Sequence, residues 1–85
     1  MSTIKQYKKK PIVVKAMQFF PKYEDEAAKF TKGALLYHHS TNMYYISTLE
    51  GMMKINTSDY IIQGVKGEFY AVDKDIFEET YEEVK

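Results

Sequence analysis

The chain has 85 residues, with twelve lysines, no arginine, twelve acidic residues and two histidines, a formal net charge of zero, no cysteine and no tryptophan. That length supplies one hydrophobic core near the lower limit of what is stable unaided, which predicts a single domain over residues 1–85 that gains from self-association. The missing cysteines rule out disulfides and thiolate metal sites, and a basic set made only of lysine argues against the bidentate arginine contacts of sequence-specific DNA reading.

The neutral total conceals a gradient. Residues 1–33 carry eight lysines against three acids, and residues 34–85 carry four lysines against nine acids. Such an asymmetry steers self-association or a charged partner, although an unevenly composed solvated surface gives the same numbers. Met1-Ser2-Thr3-Ile4-Lys5 lacks the apolar centre of a secretory leader. No apolar run approaches the roughly 20 residues that cross a bilayer, so the expected setting is cytoplasmic, with no membrane partner.

After Lys8-Lys9-Lys10 and Pro11, residues 12–20 form the longest β-prone run, closed by Pro21, and a long first strand is expected there. Its faces do not alternate cleanly: Ile12, Val14, Ala16 and Phe20 fall on one side and Val13, Met17 and Phe19 on the other, which implies partial burial of both. Residues 23–32 read as a helix, with Glu24, Asp25 and Glu26 in the first turn, Lys29 and Lys32 in the last and Gly33 behind them. Tyr23, Ala27 and Phe30 share one stripe of it. Strands are expected over residues 34–38 and 43–48, joined through Ser40-Thr41-Asn42, and over 52–55 after a reversal at Leu49-Glu50-Gly51. Asn56-Thr57-Ser58-Asp59 then turns the chain into a hairpin of Tyr60-Ile61-Ile62 and Glu68-Phe69-Tyr70-Ala71-Val72. Its connection, Gln63-Gly64-Val65-Lys66-Gly67, holds two glycines that permit the positive φ of a tight reversal. Beyond the hairpin, Asp73-Lys74-Asp75 can cap one helical turn over residues 76–79, with residues 80–84 as a closing strand. A helix through Tyr81 competes, because Phe77, Tyr81 and Val84 also fit helical spacing. The sum is an α+β fold: a small curled antiparallel sheet or partly open β-barrel with one helix, about residues 23–32, packed on it.

Residues 7–19, Thr48-Leu49-Glu50-Gly51 and residues 59–84 together resemble a widespread family of small accessory proteins from phages and prophages of Gram-positive bacteria. The family pattern begins with a Tyr-Arg-Lys-Lys-Pro strand ending in Gln-Trp. It closes with Pro-Gly-Asp-Tyr-Ile-Ile, then Gly-Val-Lys-Gly-Glu-Phe-Tyr-Pro, Pro-Asp-Ile-Phe and Thr-Tyr-Glu. The match covers about half of the chain, at both ends. It departs where Thr57-Ser58 replace Pro-Gly, where Ala71 and Lys74 replace prolines, and where Lys8, Lys15 and Phe19 stand for arginine, glutamate and tryptophan. Fewer prolines loosen two turns, and arginine and tryptophan are frequent anchors at binding sites. The resemblance implies a phage accessory protein, a class rich in small inhibitors of bacterial defence, and assigns no role to any residue.

Catalysis is not expected, nor a cofactor. His38 and His39, adjacent on a strand, point to opposite faces and do not converge on one metal. Asp59 with Glu68, or Asp73 with Asp75, are candidate carboxylate pairs for acid–base work, but no paired nucleophile and no glycine-rich phosphate loop accompany them. A small nucleotide-type ligand finds a candidate site in the hairpin. Lys66, between Gly64 and Gly67, meets phosphate; Tyr60, Tyr70 and Phe69 offer ring faces to a base; Glu68 or Asp75 accepts from a ribose hydroxyl or a base amine. The plainer account has the glycines turning the chain, Lys66 solvated and the rings in the core. So small a protein encloses little, so the site is expected between subunits of a homo-oligomer, acting as a sponge for a nucleotide signal of host defence. The alternative is a protein-binding inhibitor of a host nuclease, of the anti-CRISPR type. In it Phe77, Glu78, Glu79, Tyr81 and Glu82, with Asp73, Asp75 and Glu83, present an acidic run interleaved with aromatic residues to a basic groove; an ordinary solvated face has the same pattern. Tyr37, Tyr44 and Tyr45 are further candidates for a contact surface. The basic start, Lys5 with Lys8, Lys9 and Lys10, offers at most weak, salt-sensitive contact with nucleic acid.

Overall fold

In the computed structural model, which describes residues 3–8 and 10–84, six strands and two helices follow one another along the chain. They are β1 (Lys15–Gln18), a 3-10 turn (Pro21–Tyr23), α1 (Glu24–Phe30), β2 (Leu35–His38), β3 (Met43–Thr48), β4 (Gly51–Ile55), β5 (Tyr60–Gln63), β6 (Phe69–Val72) and α2 (Lys74–Thr80). The strands form two antiparallel three-stranded sheets, one in the order β1-β5-β6 and the other in the order β2-β3-β4. The α+β class expected from the sequence holds. The sheet, however, is in two pieces that do not close into a barrel.

The two sheets meet where β6 lies against β3 and β4, and the Ala71 N–H donates to the Met53 sulfur across that seam. Side-chain alternation divides sheet β1-β5-β6 into two faces. Met17, Ile61, Phe69 and Ala71 face inward, where Ile61 and Phe69 join Phe19, Ala27, Ile46 and Ile55 in the core. Sheet β2-β3-β4 contributes Leu35, Tyr44, Ile46 and Ile55 from its inner face. Helix α1 is shorter than the expected 23–32, and two of its three stripe residues reach the core: Ala27 is buried, and Phe30 meets Phe69 edge-on with ring centroids 5.5 Å apart. Tyr23 leaves the stripe for the 3-10 turn, where its ring meets Phe20. Thr31, the buried polar side chain among the described residues, accepts from the Leu35 N–H at 3.1 Å and ties the end of α1 to β2.

The first strand is shorter than expected. Only residues 15–18 pair, because β5 ends at Gln63 opposite Lys15 and then turns away at Gly64, leaving residues 12–14 without a backbone to ladder against. The C-terminal expectation of one turn and then a closing strand is also corrected. Asp73 caps a helix of seven residues, its Oδ1 accepting from the N–H groups of Asp75 and Ile76, and Tyr81 to Val84 carry no strand pairing. Asp73→Ala should cost about 1 kcal/mol, read as a lower urea midpoint, because it strands two donors of the first turn.

Ser58 sits at φ +78° in the turn from β4 to β5, a conformation that L side chains other than Asn and Asp seldom adopt. Its surroundings hold it there: the Ser58 N–H donates to the Phe19 carbonyl at 2.8 Å, and its own carbonyl accepts from Gln18 Nε2 at 3.1 Å. The resembled pattern carries glycine at this position. Ser58→Gly should raise the unfolding midpoint by relieving about 0.5–1 kcal/mol of strain, net of the greater chain entropy of glycine.

Candidate functional site

Ile62 has 0% of its surface exposed, yet it points away from the core cluster, on the face of sheet β1-β5-β6 shared with Tyr60, Tyr70 and Val72. Helix α2 covers that face. The Tyr60 and Phe77 rings stack at 3.9 Å with planes 10° apart, and Phe77 stacks in turn on Tyr81 at 4.8 Å and 17°. The i, i+4 spacing of Phe77 and Tyr81 sets both rings on one helix face, where Tyr60 receives the first of them. Tyr70 closes the row through a side-chain hydrogen bond with Tyr81, and burial first, then that bond, holds the Tyr70 phenol above its ordinary pKa.

With the rings turned inward, the acids of α2 turn outward. Glu78 pairs with Lys74 at 3.3 Å, the i, i+4 neighbour whose ammonium it holds above the usual lysine pKa. Asp75 lies 4.0 Å from the same ammonium. Glu79, Glu82 and Glu83 are exposed, and no cation lies within ion-pairing distance of them among the described residues. Between these acids Ile76 and Val84 are 56% and 72% exposed. The result is an exposed acidic surface with two apolar side chains set into it.

The residues expected to take a nucleotide are not brought together. Tyr60 stands opposite Val72 at the open end of the hairpin while Lys66 lies in the turn, so about 3.4 Å of rise per residue separates them by roughly 10–14 Å. The Glu68 carboxylate is engaged at home, accepting from the Lys66 N–H at 3.0 Å and folding over Gly64, where a Cβ would collide with it. Gly67, at φ +82°, completes this turn. One face of Tyr60 is occupied by Phe77, and Asp75 stands at the start of α2. Of the expected ligand residues, then, only Tyr60 and Tyr70 share a place, and they share it with Phe77 and Tyr81 from the protein-binding set. The carboxylate pairs also do structural duty: Asp59 accepts from the Asn56 N–H at the opposite end of the hairpin from Glu68, and Asp73 is the α2 cap. His38 and His39 pack on different rings, Tyr45 and Tyr37 respectively, and no group of three His, Asp or Glu gathers as a metal site among the described residues.

A second feature was not visible in the sequence. Tyr44 stands between two open grooves, one of about 270 Å³ lined among others by Phe19, Asn42, Lys54 and Asn56, the other of about 220 Å³ lined by Glu24, Asp25, Ala28, Leu35, Tyr37 and Tyr44 itself. Its ring meets Phe19 edge-on at 4.9 Å and its hydroxyl donates to the Glu24 carboxylate, so the contact joins β3 to α1. The signal was split between two elements, Tyr44 on a strand and Glu24 at a helix start, with nothing local to link them. That hydrogen bond, followed by burial and the Glu24 charge, pushes the Tyr44 phenol from 10.0 up to about 12. The contribution is complete below pH 10 and is lost as the pH rises from 10.0 to about 12, because the unfolded phenol releases its proton first. Base titration of the unfolding midpoint should show a fall in that window of about 1 kcal/mol, the size left after solvent screening, and Glu24→Gln should shrink it.

Comparison of the chain with family models, with characterised proteins and with solved structures yields no match. Among the described residues no helix is long and apolar enough to cross a membrane.

Proposed function

We propose that this chain is a non-enzymatic accessory protein that docks the acidic outer surface of α2 onto a basic groove of another macromolecule, as an inhibitor of a host defence nuclease would. One observation carries the reading. The Tyr60–Phe77–Tyr81 stack seats α2 on the sheet by its ring face, which leaves Asp75 and Glu79 in solvent beside Ile76, with Glu82, Glu83 and Val84 exposed in the residues that follow the helix. Preset charges with an apolar centre steer a basic partner and cost little ordering on contact. The counter-defence role and the cytoplasm of an infected bacterium are supplied by the resemblance of the two chain ends to phage accessory proteins. Affinity capture from bacterial lysate tests the reading. A basic host protein should be retained in stoichiometric amount by the native chain and lost when Glu78, Glu79 and Glu82 are all changed to lysine. A folded native chain that retains nothing overturns it.

A second reading, capture of a small nucleotide-type ligand, is favoured by the larger groove rather than by the hairpin turn. Lys54, Asn42 and Asn56 border it beside the Phe19 and Tyr44 rings, which offers an ammonium, two amides and an aromatic wall in one place. At about 270 Å³ and open to solvent it falls below the size of an enclosing site, so a second subunit would have to complete it. Thermal unfolding against cyclic and linear nucleotides decides: stabilisation by one of them that is lost in Lys54→Ala supports the groove, and no stabilisation by any removes this reading.

A further inference from the structure

Ahead of β1 the chain runs as an arm with no helix or strand over residues 3–8 and 10–14, and its described residues are exposed as far as Val13. Ile4 and Tyr7 are each 87% exposed, and Ile12 and Val13 stand out further along. The arm carries Lys5, Lys8 and Lys10 among the described residues and no acid, and among the described residues no carboxylate lies within ion-pairing distance of these lysines. A compact domain of this length has a radius of gyration near 12 Å. The observed radius is 14.7 Å, in an elongated body of 52 × 34 × 23 Å.

The surface that complements this arm is on the same molecule's other end. α2 and the residues after it offer Asp75, Glu79, Glu82 and Glu83 without a full complement of cations, with Ile76 and Val84 between them. Arm and surface thus match twice over, lysine to carboxylate and aliphatic to aliphatic. Each copy owns one of each. Twelve extended residues reach about 40 Å, enough to cross from one copy to the next.

We propose that two copies exchange their arms, residues 3–8 and 10–14 of each lying along α2 and the residues after it of the other, in an isologous dimer. A two-fold arrangement satisfies both arms and both acidic surfaces at once, which a head-to-tail chain of copies leaves undone at its ends. The pairing is built on charge in contact with solvent, so it weakens with salt. It stands independently of the host-partner reading, although both use the α2 surface, so self-pairing and docking on a foreign basic groove exclude one another.

Light scattering on the purified full chain, at low salt and again at about 1 M where the Debye length falls to about 3 Å, supplies the test. A dimer is expected at low salt and a monomer at high salt. Lys5→Glu, Lys8→Glu and Lys10→Glu combined should give a monomer at both, as should Glu79→Lys, Glu82→Lys and Glu83→Lys combined. The decisive step is mixing the two variants. Each then offers the other a complementary arm and surface, and a heterodimer should form at low salt. A native chain that is monomeric at every concentration, a dimer that survives either set of reversals, or two folded variants that fail to combine each overturns the proposal. Circular dichroism of each variant separates loss of pairing from loss of fold. Because no foreign protein is present, the result is distinct from success or failure of the capture experiment.

Discussion

Phe77→Ala should detach α2 from the sheet and lower stability by about 2–3 kcal/mol, below the full range for a buried ring because Phe77 is half-buried. Phe77 is the middle member of a three-ring stack, so its removal leaves Tyr60 and Tyr81 with no partner between them. A seven-residue helix has no independent stability in water, and the Asp73 cap cannot hold it alone. Limited proteolysis should therefore show early cleavage beside Lys74 in the variant and not in the native chain, and the urea midpoint should fall. Phe77→Tyr keeps the ring face and should behave as the native protein does. A variant with native midpoint and native protease resistance would mean that the stack is not what holds α2. The effect reaches function as well, since a helix that turns freely no longer presents its acids in one arrangement.

A larger loss is expected for Phe19→Ala, about 3–5 kcal/mol. Phe19 is 1% exposed and sits where β1 ends, edge-on to Tyr44, inside a core of few large side chains. Its backbone is tied down from both sides, its N–H donating to the Asp59 carbonyl at 2.7 Å and its carbonyl accepting from Ser58. A domain of this size has about 5 kcal/mol or little more to lose, so most of the population should be unfolded near physiological temperature. Loss of the cooperative thermal transition is the measurement; retention of a sharp one at a lowered midpoint of a few degrees would place far less weight on this ring. The same change opens the groove beside Tyr44, so nucleotide binding must be read in a milder variant such as Lys54→Ala.

Local signals were read well where one stretch contained both cause and effect. The β5–β6 hairpin carries its own strands and its own glycines. The acids of the first turn mark the start of α1, and Gly33 marks its end to within two residues, the helix stopping at Phe30 and Lys32 and Gly33 both adopting positive φ. β3 begins and ends where its alternation does. What failed was whatever depended on a partner distant in the chain. The run 12–20 has strand-forming residues throughout, but its ladder stops at Lys15 because Gly64 turns the partner away. Residues 80–84 fitted both a closing strand and a continued helix, and the chain takes neither course, because the helix ends at Thr80 and no strand of the sheets stands beside the residues that follow. The hairpin also spaces the expected ligand residues, because an antiparallel pair puts its turn and its open end at opposite extremes, so Lys66 and Tyr60 stand apart.

The arrangement of the sheets also orders the assembly of the molecule in time. β2, β3 and β4 are consecutive and meet through short reversals, so their pairing closes small loops. β1 must wait for β5, which is made only after α1 and that whole meander have gone by. Loop-closure entropy makes such a long-range pairing late. Docking of β1, and of the Phe19 that follows it, should therefore come late in folding, and the amides of Lys15–Gln18 should exchange earlier than those of the β2-β3-β4 meander.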